Sequence, residues 1–211
     1  MNPAIHHPYW YEASGLLTKA EVQQSLATAG ATISVPQISR FQVGTLEVQC
    51  LPGQWQALTS DEAERERLTT IAVGTFKLLR ETPITQYGMN SHFAVGVGTE
   101  NVGALLTAHL GAMAMAAPFD GIPATYASLA VSYGLAPLEL GGQPPVHRKL
   151  NVTIRPSAED GRSLRVDVNR DHTIGPAQGH FDLDVMLEHS ADAFEQADNY
   201  LVQILARLRP H

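Results

Sequence analysis

The chain has 211 residues, 44% of them hydrophobic and 17% charged, a formal net charge of -7 and a single cysteine. That length and composition fit one sizeable globular domain with a real core, while the acidic balance excludes a general nucleic-acid binder, because neutralising phosphates takes a basic surface. Cys50 alone excludes an internal disulfide and a cysteine-based zinc site, which fits a reducing cytoplasm.

Residues 1 to 15, "MNPAIHHPYWYEASG", lack a basic region followed by an apolar run, so no secretory signal is expected there. Three consecutive aromatics, Tyr9, Trp10 and Tyr11, follow a proline without periodicity. The segment reads as an amino-terminal arm whose aromatics either anchor a partner or fold back on the chain's own sheet. "TKAEVQQSLATAG" predicts a helix, with Thr18 as N-cap, Glu21 as its capping-box partner and Gly30 as the stop. "ISVPQISRFQVGTLEVQC" is extended, and Pro36 marks an edge or a non-strand position. Within it the apolar phase moves from odd (Phe41, Val43) to even (Leu46, Val48, Cys50), which demands a bulge or turn at Gly44-Thr45. "SDEAERERLTTIAVGTFKLLRET" is the clearest helix, at about 61–80. Ser60 or Asp61 caps it, acids fill its first turn, and Lys77 and Arg80 sit in its last. Its stripe is Leu68, Ile71, Ala72, Phe76 and Leu79, and Thr82-Pro83 ends it.

The next stretch, "TPITQYGMNSHFAVGVG", reads as a strand. Tyr87, Met89, Phe93, Val95 and Val97 share one face, and Gln86, Gly88, Asn90, His92, Ala94 and Gly96 share the other. The second face either packs closely against another element or floors a polar groove built on Gln86, Asn90 and His92. A histidine can serve as acid or base near neutral pH, but the sequence supplies no orienting partner for this one. Residues 101 to 116 read as a mostly buried helix, too short and too interrupted by His109 to span a membrane. "ATYASLAVSYGL" alternates, with Ala127, Leu129, Val131 and Tyr133 on one face. Three further alternating strands are expected, on Leu150, Val152 and Ile154, on Leu164, Val166 and Val168, and on Phe181, Leu183, Val185 and Leu187. A second strong helix runs from about Ser190 to 208, with the stripe Phe194, Ala197, Leu201, Ile204, Leu205 and Leu208.

The remaining chemistry-bearing residues are read as structural. "NRDHTIGPAQGH" holds Asp171, His172 and His180, but their spacing matches no metal-ligand motif, and a solvated hairpin loop is the expectation. His147, Arg148, Lys149, Arg155, Arg162 and Arg165 form a basic strip, which Asp182 and Asp184 on the next strand are expected to neutralise. "GVGTENVG" lacks the lysine of a phosphate-binding loop, no serine sits in a nucleophile elbow, and Cys50 reads as core. No catalytic residue, metal or cofactor is therefore assigned.

The segments "IAVGTFKLLRETPITQYGMNSHFAV", "LNVTIRP" and "FDLDVMLEHSADAFEQADNYLVQIL" resemble an uncharacterised, sporadically distributed family of bacterial proteins, over about residues 60–208. The resemblance implies an α+β fold and no activity, and sporadic distribution is associated with mobile elements or defence loci.

The expectation is an arm at 1–15 and a single α+β domain at 16–211. In it, helices 61–80 and 190–208 pack on the apolar face of one curved antiparallel sheet. The expected function is that of a non-enzymatic, cytoplasmic interaction or assembly protein, pairing with itself or another protein. The alternative is a small-molecule binder or enzyme using the groove around Asn90 and His92.

Overall fold

Hairpin signals dominate the first third of the chain, and they fold it into a meander. The computed structural model describes residues 1–96, 102, 106, 128–138, 145–157, 162–174 and 183–208. The chain divides into two compact units, Met1–Pro83 with Gly179–Ala191, and Ile84–Gln178 with Asp192–His211. The fold is α+β, and the described residues form two four-stranded antiparallel sheets in place of the one sheet expected to carry both long helices.

In the first unit a 3-10 turn at Pro3–Ile5 leads into α1 (Pro8–Ala13) and α2 (Lys19–Ala27). The capping box of α2 is present as the sequence predicts. The Thr18 backbone N–H donates to the Glu21 carboxylate at 2.7 Å, and the Glu21 N–H donates to the Thr18 hydroxyl at 3.4 Å. The sheet then runs β1 (Thr32–Val35), β2 (Ile38–Val43), β3 (Leu46–Leu51) and β4 (Gln54–Thr59), each paired with the next. Pro36 falls in the turn between β1 and β2. The phase change at Gly44-Thr45 is a two-residue turn between the paired Val43 and Leu46, with Gly44 at φ 58°. A second tight turn at Pro52-Gly53 (Gly53 at φ 89°) leads into β4, a strand that alternation alone does not announce.

Asp61 caps a 3-10 turn at Glu62–Glu64, its carboxylate accepting from the Ala63 N–H at 3.0 Å, and α3 (Arg65–Leu78) follows. The core of this unit is Tyr11, Leu17, Val22, Phe41, Val43, Leu46, Val48 and Ile71. Tyr11 is therefore not part of a free arm. Pro8 sits at the first position of a short helix, where its fixed φ costs nothing, and the helix turns Tyr11 into the core at 0% exposure.

The second unit contains β5 (Gln86–Gly96), β6 (Leu129–Leu138), β7 (Val146–Pro156) and β8 (Ser163–Thr173), in the order β5-β8-β7-β6. Its core combines Leu150, Val152 and Ile154 of β7 with Leu164, Val166 and Val168 of β8. Val102 and Leu106, both helical, and Ala197 of α4 (Leu183–Leu208) are buried with them. The rest of the helix expected at 101–116, His109 included, lies outside the described residues. So do Ala127, His180, Phe181 and Asp182.

The strand expected around Leu183, Val185 and Leu187 is instead the start of α4. Those residues satisfy a period of two, but Leu183 and Leu187 also open the 3.6-residue stripe that continues through Phe194, Ala197 and Leu201. Over so short a run the two periods cannot be separated, and the longer stripe decides.

Candidate functional site

Alternation puts every second residue of each strand in the second sheet on a face away from its core. The register aligns these residues in rows across three or four strands. One row runs Asn90, Asn169, Asn151, Ser132, and the next runs His92, Asp167, Thr153, Ala130. Gln86, Asn90 and His92 thus share one polar face, as the alternation of β5 predicts, and all three are exposed.

The structure supplies what the sequence does not, a partner for His92. Its Nδ1 lies 2.6 Å from Asp167 Oδ1, directly across the β5–β8 ladder. Asp167 also accepts from Arg165 Nε at 2.9 Å and from Arg155 Nη2 at 3.4 Å. Burial pushes the Asp167 carboxyl up, but the hydrogen bonds and charges of Arg165 and His92 outweigh it and hold the pKa below the usual carboxylate range. Arg155 and Arg165 face each other in register, an arrangement that like charges resist unless a carboxylate sits between them. Asp167 therefore bridges Arg155 and Arg165 within the basic strip, while Asp182, expected to neutralise it, lies outside the described residues. Asp184 lies in α4, and His147, Lys149, Arg155 and Arg165 share the polar face while Arg148 is on the opposite one.

A second set of bonds extends across the sheet. Ser132 donates to Asn151 Oδ1, and Asn151 Nδ2 donates to Asp171 Oδ2 at 2.8 Å. Gly88 leaves room beside that carboxylate, since a Cβ there would stand 3.2 Å from Asp171 Oδ1. Asp171 and His172 belong to β8 and not to a hairpin loop, and His172 is fully buried.

The polar face is hydrogen-bonded from strand to strand, and the His92 side chain is 54% exposed. A shallow depression lies at Lys77 to Thr82, in the first unit. Among the described residues no cluster of histidine, cysteine and carboxylate side chains could hold a metal ion. Cys50 is buried, and burial pushes its thiol up to about 11, which fits a core residue.

Of the three aromatics assigned to a partner-binding arm, Tyr11 is enclosed and Trp10 is half-buried against it, with ring centres 4.9 Å apart. Tyr9 alone is open, at 58% exposure, stacked on His7.

His92→Ala is expected to change stability by less than about 1 kcal/mol, because the side chain is half exposed and Asp167 keeps both arginines. Thermal melting measures this, and a larger loss would mean that the dyad fastens β5 to β8. No family model matches the chain, and neither a curated protein nor a solved structure does.

Proposed function

We propose that the chain is an interaction and assembly protein that pairs with a second copy of itself along β5. A contrast between the two edges of the second sheet carries this reading. The β6 edge contains Pro137 and a register break between Leu135 and Leu138, both features that blunt strand pairing. The β5 edge has neither. It runs 11 residues without proline, lysine or bulge, in unbroken register with β8. Among the described residues, its outer side pairs with no strand.

A long, regular, unprotected edge is a template for strand addition. A two-fold axis beside β5 joins two such edges antiparallel, continuing both the apolar and the polar face into the second copy. Light scattering is expected to give twice the 22.8 kDa of one chain. Gln86→Lys with Asn90→Lys, which crowds like charges along the paired edge, is expected to return the mass to a single chain without lowering the melting midpoint. A single-chain mass for the unaltered protein at every concentration would remove the reading.

The His92–Asp167 pair favours a second reading, an acid–base site. Asp167 fixes one ring nitrogen and leaves Nε2 as the reactive one. The 54% exposure of the His92 side chain weighs against it, since small-molecule sites bury most of their ligand.

A further inference from the structure

One end of the core face of the second sheet is cationic. Across the β5, β8 and β7 strands, Tyr87, His172 and Arg148 stand in one row, and Met89, Arg170 and Leu150 in the next. Arg170 is only 6% exposed. Its Nη2 donates to the side-chain oxygen of Gln196 on α4, and its Nε has no acceptor among the described residues. Arg148, half-buried and diagonal to it, donates Nε and Nη2 to the Ala136 carbonyl at 2.8 and 2.6 Å. Neither guanidinium makes an ion pair among the described residues, and Asp192 acts on Arg170 only from beyond contact. Beside them the His172 ring, fully buried, stacks on Tyr87 with centres 4.3 Å apart and planes 7° from parallel.

Taking a guanidinium out of water is costly unless a counter-charge meets it, and a neutral amide such as Gln196 does not supply one. A second arginine close by adds repulsion. Burial lowers the pKa of Arg170, and Arg148 lowers it further. Two forks of N–H donors that meet no carboxylate among the described residues are a geometry suited to an oxyanion.

We propose that this corner binds an oxyanion, the phosphate or carboxylate group of a small ligand, between Arg148 and Arg170. The flat Tyr87–His172 stack is its wall, and half-buried Arg148 gives it access to solvent. The site takes Tyr87 from β5 but lies on the core face, on the other side of the sheet from His92.

Thermal melting of the full chain in inorganic phosphate, against chloride at equal ionic strength, tests this. The midpoint is expected to rise with phosphate and then saturate, as binding to the folded state alone requires. Acetate in place of phosphate separates the two sources. A saturating rise with acetate alone assigns a carboxylate, and one with phosphate alone assigns a phosphate. Arg148→Gln is expected to raise the half-saturating concentration about tenfold, the usual cost of losing a charge-assisted hydrogen bond. Equal midpoints in phosphate, acetate and chloride would overturn the proposal. So would an Arg148→Gln chain that saturates at the unaltered concentration, and neither outcome depends on Arg170 variants folding.

Discussion

Tyr11→Ala is expected to destabilise the first unit by about 3–5 kcal/mol, the range for truncating a fully buried aromatic. Tyr11 is 0% exposed, meets Phe41 at a ring-centre distance of 5.0 Å, and lies in the cluster that joins α1, the sheet and α3. Its hydroxyl accepts from Trp55 Nε1 at 3.0 Å and bonds His6 Nδ1 at 2.9 Å. Burial pushes the phenol up to about 12, so at neutral pH it stays protonated and can donate to that imidazole. Truncation therefore opens a cavity and also leaves the buried His6 Nδ1 and the half-buried Trp55 Nε1 without their partner. Tyr11→Phe keeps the ring and loses only the hydroxyl, and is expected to cost about 1–3 kcal/mol. Intrinsic fluorescence reads the result without interference, because both tryptophans, Trp10 and Trp55, lie in this unit. An unchanged fluorescence midpoint in Tyr11→Ala would mean that α1 is peripheral to the core, as an arm would be.

That residue also marks what can be read from sequence and what cannot. Thr18 and Glu21 satisfy each other three residues apart, so a local rule finds them. The alternation of β5, β7 and β8 is equally local, and it places Gln86, Asn90 and His92 on one face before any pairing is known. Tyr11 escapes because a helix of 6 residues is too short to show a period. The division into two sheets escapes because pairing is a long-range choice, and alternation does not say which strands become neighbours. The same holds for the site. Asp167 is 75 residues from His92 in sequence, and only the β5–β8 register brings them within 2.6 Å. Arg170 interrupts an apolar alternation on β8. That phase places it on the core side, as the phase of β7 does Arg148, and charges at core positions are the local signal that points to the cationic corner.

Acidification is expected to weaken the first unit through His6. This side chain is 1% exposed, and burial, helped by the charge of the nearby chain terminus, lowers its pKa from the ordinary 6.5 to about 4. The folded state thus holds the imidazole neutral while the unfolded chain binds a proton at mild acidity. His6 costs nothing above about pH 6.5, where both states are neutral, and stability falls as pH drops from about 6.5 towards 4. The whole span is worth about 3 kcal/mol. Below about 4 both states carry the proton and the His6 contribution stops changing. Glu21 adds a loss of its own at lower pH. Burial pushes its carboxyl up, but the hydrogen bonds from Thr18 and the charge and hydrogen bond of Arg67 hold it below the usual range, so the cap is lost only as acid protonates it. The window between pH 6.5 and about 4.5 therefore isolates the histidine. In it, tryptophan-fluorescence melting of the unaltered chain is expected to decline steadily with acid. His6→Phe, which cannot take up a proton, is expected to give a nearly flat profile, even if its midpoint at neutral pH is lower for want of an acceptor for Tyr11. Parallel declines in both chains would show that another group carries the acid sensitivity and that the His6 imidazole takes up its proton without leaving the core.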